Sequence, residues 1–171
     1  MENVLISYLP HDWSYRWLPL GDYKLVELCS SSSIHLELEA RVSGNFNLGV
    51  TKIERVENPY LWGQYLLRKE EYECKGVVEE RELFHDTGAD KIHSIVSTNL
   101  DRRLACRVKY GRGVSFSPSP SYANRESSRN NGVNRALILA NVLVQKAHLV
   151  SGCLEIPPQG YDTTVGNCNN V

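Results

Sequence analysis

The segment from Arg135 to Val150 constrains the fold most. Ala136, Leu137, Ile138, Leu139, Val142, Leu143 and Val144 make it apolar on both faces of any strand. A run of that kind suits a strand covered above and below, so a sheet is expected with this segment at its centre. It does not read as a membrane span. Asn141 interrupts it and Gln145, Lys146 and His148 follow at once, whereas a spanning helix needs about 20 mostly apolar residues.

Ahead of that strand the signals are mostly helical. Ser31, Ser32 and Ser33 offer an N-cap to a pattern in which Leu38, Val42 and Phe46 share a face. Alternation from Val50 to Val56 indicates a half-buried strand. Asn58-Pro59 is a strong helix start, since Asn caps and Pro fills the first position without losing a hydrogen bond. Leu61, Trp62, Tyr65 and Leu66 then form the apolar face, with Arg68, Lys69, Glu70 and Glu71 in water. Glu82 to His85 reads as a short strand, Ile92 to Asn99 as a helix, and Tyr110 to Gly113 as a turn opening onto a strand at Val114 to Phe116. Residues 117–134, rich in Ser, Pro, Asn and Gly, read as a loop with one helical turn at most. Residues 1–30 read as an irregular arm packed by Trp13 and Trp17, and the tail from Ser151 as coil. Helices followed by short strands, without βαβ alternation, argue for an α+β domain.

The chain has 171 residues, a length that suits one domain. Lys and Arg number 19 against 20 Asp and Glu, which excludes nucleic-acid binding by bulk charge. MENVLISYLPHDW lacks the basic and apolar regions of a signal peptide. Five widely spaced cysteines without a CxxC pair fit simple thiols in a reducing, intracellular compartment.

His85, at a strand end beside Asp86 and Thr87, is the first candidate for chemistry. His11, His35, His93 and His148 show no ligand spacing, and the glutamates between Glu70 and Glu82 read as a solvated surface rather than a metal site. Gly111-Arg112-Gly113 lacks the third glycine and the strand–helix setting of a dinucleotide fingerprint.

Those residues carry a resemblance. Leu83-Phe84-His85-Asp86-Thr87, Asn99-Leu100-Asp101-Arg102-Arg103 and Tyr110-Gly111-Arg112-Gly113-Val114-Ser115-Phe116 followed by Tyr122 occur in that order. They resemble the LFHGT, NFD-R and YGxGxYFA elements of the poly(ADP-ribose) polymerase catalytic-domain family, nearest to its mono-ADP-ribosylating, zinc-finger-associated branch. Thr51 to Trp62 resembles the family's IxRVQNPxLW segment, and Tyr161 to Val165 its YDSxV segment.

The resemblance implies an ADP-ribosyltransferase-like α+β fold, with two small, mainly antiparallel sheets and flanking helices around a cleft for NAD⁺. It also implies a single catalytic domain over residues 1–171. NAD⁺ would be the donor substrate, with no metal. His85 would bind the nicotinamide ribose, the Asp86 backbone the carboxamide, and Thr87, Gly113 and Tyr122 would complete the donor site.

Several positions depart from the family pattern. Asp86 stands for glycine and is expected to crowd the pocket; Ser115 stands for the catalytic-motif tyrosine; Ala123 stands for a serine; and Glu126 falls near a stacking tyrosine. The match stops at Val171, ahead of the family's last strand and its glutamate, so a C-terminally truncated domain is expected. Two readings stay open: a transferase moving single ADP-ribosyl groups to protein acceptors with impaired turnover, or an inactive pseudoenzyme that binds a protein partner. The family suggests the nucleus or cytoplasm, and neither reading calls for a membrane.

Overall fold

The computed structural model describes residues 7–14, 23–44, 46, 49–105, 110–127, 134–152 and 154–166. They fall into two compact units, Met1–Leu67 and Arg68–Val171.

In the first unit β1 (Lys24–Glu27) pairs antiparallel with β2 (Glu54–Glu57), setting Leu25 opposite Val56. The irregular arm expected over residues 1–30 therefore includes a strand. Two apolar residues are too few to show a period, and β1 exists only through its distant partner. Helix α1 (Ser33–Ser43) is capped by Ser32, whose hydroxyl accepts from the His35 N–H. Helix α2 (Pro59–Lys75), of which this unit holds the part up to Leu67, begins as its sequence requires: the Asn58 Oδ1 accepts from the Tyr60 and Leu61 N–H groups at 3.0 and 3.1 Å. Trp13 packs on Trp62 with ring centres 5.9 Å apart, so part of the arm is held by a tryptophan; Trp17 lies outside the described residues. Between β2 and α2 the Glu57 carboxylate is fully buried. It accepts from Arg55 and from the Ser14 N–H and hydroxyl, and Arg55 reaches on to Asp12.

The second unit is built on β3 (Glu79–Gly88) and β4 (Arg135–Val144), antiparallel in a ten-pair register from Glu79–Val144 to Gly88–Arg135. Leu83, Phe84 and Val144 are buried in it. Among the described residues β4 pairs only with β3. It is β3 that has neighbours on both edges, since Phe84 also bridges Ser117. The expected central place of the Arg135–Val150 run thus falls to β3. Apolarity on two faces reports what lies above and below a strand, not what flanks it.

The run itself breaks into β4 and β5 (Ala147–Leu149), with the corner at Gln145 and Lys146. Asp162 fixes that corner, its carboxylate accepting from the Gln145 and Lys146 N–H groups at 3.0 and 2.6 Å. The expected coil after Ser151 contains β6 (Thr163–Val165), parallel to β5. Helix α3 (Ile92–Thr98) follows β3 through a tight turn at Ala89–Lys91. In place of the expected loop, α4 (Pro120–Glu126) makes nearly two turns, with Ser119 as its N-cap and Pro120 in the first turn. The strand expected at Val114–Phe116 is reduced to the single bridge at Ser117.

The class is α+β, with the described strands in three two-stranded sheets. No helix among the described residues is long and apolar enough to cross a membrane. Cys29 and Cys74 are exposed free thiols; Cys106, Cys153 and Cys168 lie outside the described residues.

Candidate active site

The open edge of β3 creates the site. Phe84 exchanges both backbone hydrogen bonds with Ser117, at 2.8 and 2.9 Å. In an antiparallel pair the next such exchange would join Asp86 to Ser115. It does not form; the Ser115 carbonyl instead faces the His85 ring, 2.9 Å from Nδ1. The ladder parts there, and Asp86 presents its N–H and C=O along the opened edge. Its carbonyl already accepts the Ser127 hydroxyl at 3.1 Å and keeps a second lone pair. A donor and an acceptor side by side on a strand edge suit a primary carboxamide, which offers the complementary pair.

Since a carbonyl only accepts, the His85 Nδ1 carries the proton and the neutral ring keeps Nε2 as an acceptor. Burial holds His85 below the ordinary histidine range, and the charge of Lys91 adds to that, against the opposing Ser115 hydrogen bond. The ring tilts against Phe116 at 5.7 Å between centres, which fixes its orientation.

A cavity of about 500 Å³ opens at this edge, within the roughly 300–1,000 Å³ of small-molecule sites. His85, Asp86, Thr87, Gly113, Ser115 and Tyr122 all line it, so the structure gathers every residue named from the sequence. Ala123 and Glu126 line it too.

One expectation is corrected. The Asp86 side chain does not crowd the cavity. Successive strand residues point to opposite faces, and the Asp86 carboxylate, 3% exposed, is paired with Arg135 and accepts from Asn124 at 2.9 Å. What replaces glycine here is a tie between β3, β4 and α4. Sequence reading missed both partners. The signal available was Arg135 itself, a cation heading an otherwise apolar strand.

Gly111 has a φ of +152°, and a Cβ there would meet the Leu154 carbonyl at 3.1 Å. The Gly-Arg-Gly turn is thus a packing device. Beside it the Tyr110 and Tyr122 hydroxyls lie 3.4 Å apart. Among the described residues no group of three or more His, Cys, Asp or Glu is placed to hold a metal ion.

The domain is α+β, and a histidine and an opened strand edge lie on one cavity. The family model for the poly(ADP-ribose) polymerase catalytic domain matches residues 32–171. The human protein mono-ADP-ribosyltransferase PARP12 is 33% identical over 147 residues, covering 80% of this chain and 20% of that protein. Its mouse counterpart is 32% identical over the same span, and human PARP14 is 33% identical over 139 residues, 71% of this chain and 8% of that protein. The chain belongs to the poly(ADP-ribose) polymerase catalytic-domain family. It spans about a fifth or less of the length of the curated relatives it matches.

Proposed function

We propose that this domain binds NAD⁺ in the 500 Å³ cavity and transfers single ADP-ribosyl groups to protein acceptors slowly. The observation that carries the reading is the opened edge of β3, where the Asp86 backbone faces the cavity beside an unprotonated His85 Nε2. That pairing fits the donor. The carboxamide would lie along the edge, the His85 Nε2 would accept from a ribose hydroxyl, and Lys91, a cation lining the cavity, suits the diphosphate.

Slow turnover follows from what the cavity lacks. The family serine is Ala123 and the family tyrosines are Ser115 and Glu126, as aligned from the sequence. Each lost hydrogen bond to a buried polar group costs about 1–3 kcal/mol, and a lost ring stack about 0.5–1.5 kcal/mol. Three such losses amount to several powers of ten at about 1.4 kcal/mol each. The same three positions support the second reading, an inactive domain that binds a protein partner.

The test is release of nicotinamide and label transfer from NAD⁺ to protein, for the native chain and for Ser115→Tyr with Ala123→Ser. Slow release accelerated at least tenfold by the pair supports the first reading. No release from either supports the second.

A further inference from the structure

Helix α4 is fastened to β3 in different ways at its two ends. Ahead of it, Ser117 is 1% exposed and exchanges two backbone hydrogen bonds with Phe84. The Ser117 hydroxyl also accepts from the Ser119 N–H at 3.0 Å, at the cap of the helix. Behind it, the chain returns to β3 only two residues further on, at Asp86, and there side chains make the join. The Asn124 amide donates to Asp86 Oδ2 at 2.9 Å, and the Ser127 hydroxyl donates to the Asp86 carbonyl at 3.1 Å. Between these ends Tyr122, Ala123 and Glu126 line the cavity. Asn124 does not line it.

The Asn124 contact is the firmer of the two side-chain joins. The Asp86 carboxylate is 3% exposed; Arg135 engages one oxygen and Asn124 serves the other. A hydrogen bond to an ionised acceptor is about twice as strong as one between neutral groups, and a buried oxygen left unserved keeps the cost of its desolvation. Glycine, the residue of the family pattern at this position, has no side chain to offer. The join therefore depends on this chain's own Asp86.

We propose that Asn124 is a positioning residue: through the Asp86 carboxylate it latches α4 against β3 and so sets the cavity wall that Tyr122, Ala123 and Glu126 form. The latch is read from contacts within the chain, while its effect on a ligand rests on the NAD⁺ reading above. A helix of 7 residues is too short to hold itself together in water. With the latch open, α4 frays from its C-terminal end, and a donor entering the cavity has to order that wall as it binds. The ordering appears as lost affinity.

Asn124→Asp tests this with almost no change of shape, because it sets two carboxylates face to face. Adding Asp86→Asn restores the latch with its polarity reversed: the new amide donates to the new carboxylate while its oxygen still accepts from Arg135. Amide hydrogen exchange by NMR and calorimetric titration with NAD⁺ read the outcome. In the native chain the Ala123 and Ser127 N–H groups are bonded to the Ser119 and Asn124 carbonyls. In Asn124→Asp they should exchange about tenfold faster while Phe84 and Ser117 keep their protection. NAD⁺ should then bind about fivefold more weakly. Combining Asp86→Asn with Asn124→Asp should recover most of both losses. Unchanged exchange in Asn124→Asp overturns the proposal. So does faster exchange that spreads through the β3–β4 ladder, or that the second substitution fails to reverse. Native-like NAD⁺ binding by a chain whose α4 amides exchange fast overturns it too. If no form binds NAD⁺, the donor reading fails, and the exchange pattern decides the latch by itself.

Discussion

The His85 Nδ1 lies 2.9 Å from the Ser115 carbonyl, and this hydrogen bond orients the ring at the opened edge. It sets the tautomer of the ring, and it holds the ring at the point where the ladder between Phe84 and Ser117 stops. Histidine and open edge lie side by side on the cavity. His85→Ala should therefore remove the Nε2 acceptor and also release the Ser115 carbonyl.

Protonation of His85 should weaken NAD⁺ binding, because the cationic ring has no acceptor left. The ring's proton affinity is held down in the folded chain by burial and by Lys91, so binding should be level at and above about pH 6.5. It should decline only below that, with a midpoint on the acid side. The folded state likewise loses stability to this group as pH falls below the unfolded value, since the unfolded chain takes up the proton first. An NMR titration of the His85 ring checks it; a midpoint above 6.5 would contradict the assignment.

Asp86→Gly brings the sequence nearer to its family and should nevertheless harm the fold. It leaves Arg135 and Asn124 without their carboxylate, at a cost of about 1–3 kcal/mol after allowing for the partial exposure of Arg135. For a domain of this size, thermal melting should shift down by roughly 3–10 °C. Asp86→Asn, which can keep the Asn124 contact, should lose less. An unchanged melting temperature in Asp86→Gly would mean the tie carries no weight.

Gly166→Ala should disturb the site from behind. A Cβ at Gly166 would collide with the Tyr110 ring, so Tyr110 must move, and its hydroxyl neighbours that of Tyr122. A loss of about 1–3 kcal/mol is expected from the overpacking, together with weaker ligand binding. Denaturant unfolding and titration of the same variant measure both.

Glu57 should give the first unit an acid-sensitive anchor. Burial pushes its carboxyl up, but donors from Arg55 and Ser14 outweigh that and leave it below the ordinary glutamate value. The stability it contributes is present above that ordinary value and is lost as pH falls through the lowered one. Glu57→Gln should lower stability by about 1–3 kcal/mol at pH 7 and flatten the acid limb of the stability curve. An acid limb unchanged in the variant would assign it elsewhere.

Much of this was legible in the sequence where the physics is local. Asn58-Pro59 starts its helix as caps and proline geometry require, and Ser32 caps α1. The family motifs group His85, Ser115, Gly113 and Tyr122, and all four line the cavity. What stayed hidden was long-range. β1 and β6 are too short to show a period and exist through partners about 30 and 16 residues away. α4 reads as loop because Ser, Pro and Asn dominate residues 117–134, yet Ser119 and Pro120 supply a cap and a first turn. Asp86 was read as an obstruction because sequence reports a charge but not which side of the strand it takes, nor that Arg135 waits there.

The opened edge of β3 beside His85 is proposed as a working NAD⁺ site. Calorimetry of NAD⁺ binding to the native chain and to His85→Ala decides it. Binding that His85→Ala weakens by at least tenfold is expected. No heat of binding from a folded native sample, or binding that His85→Ala leaves untouched, would contradict it.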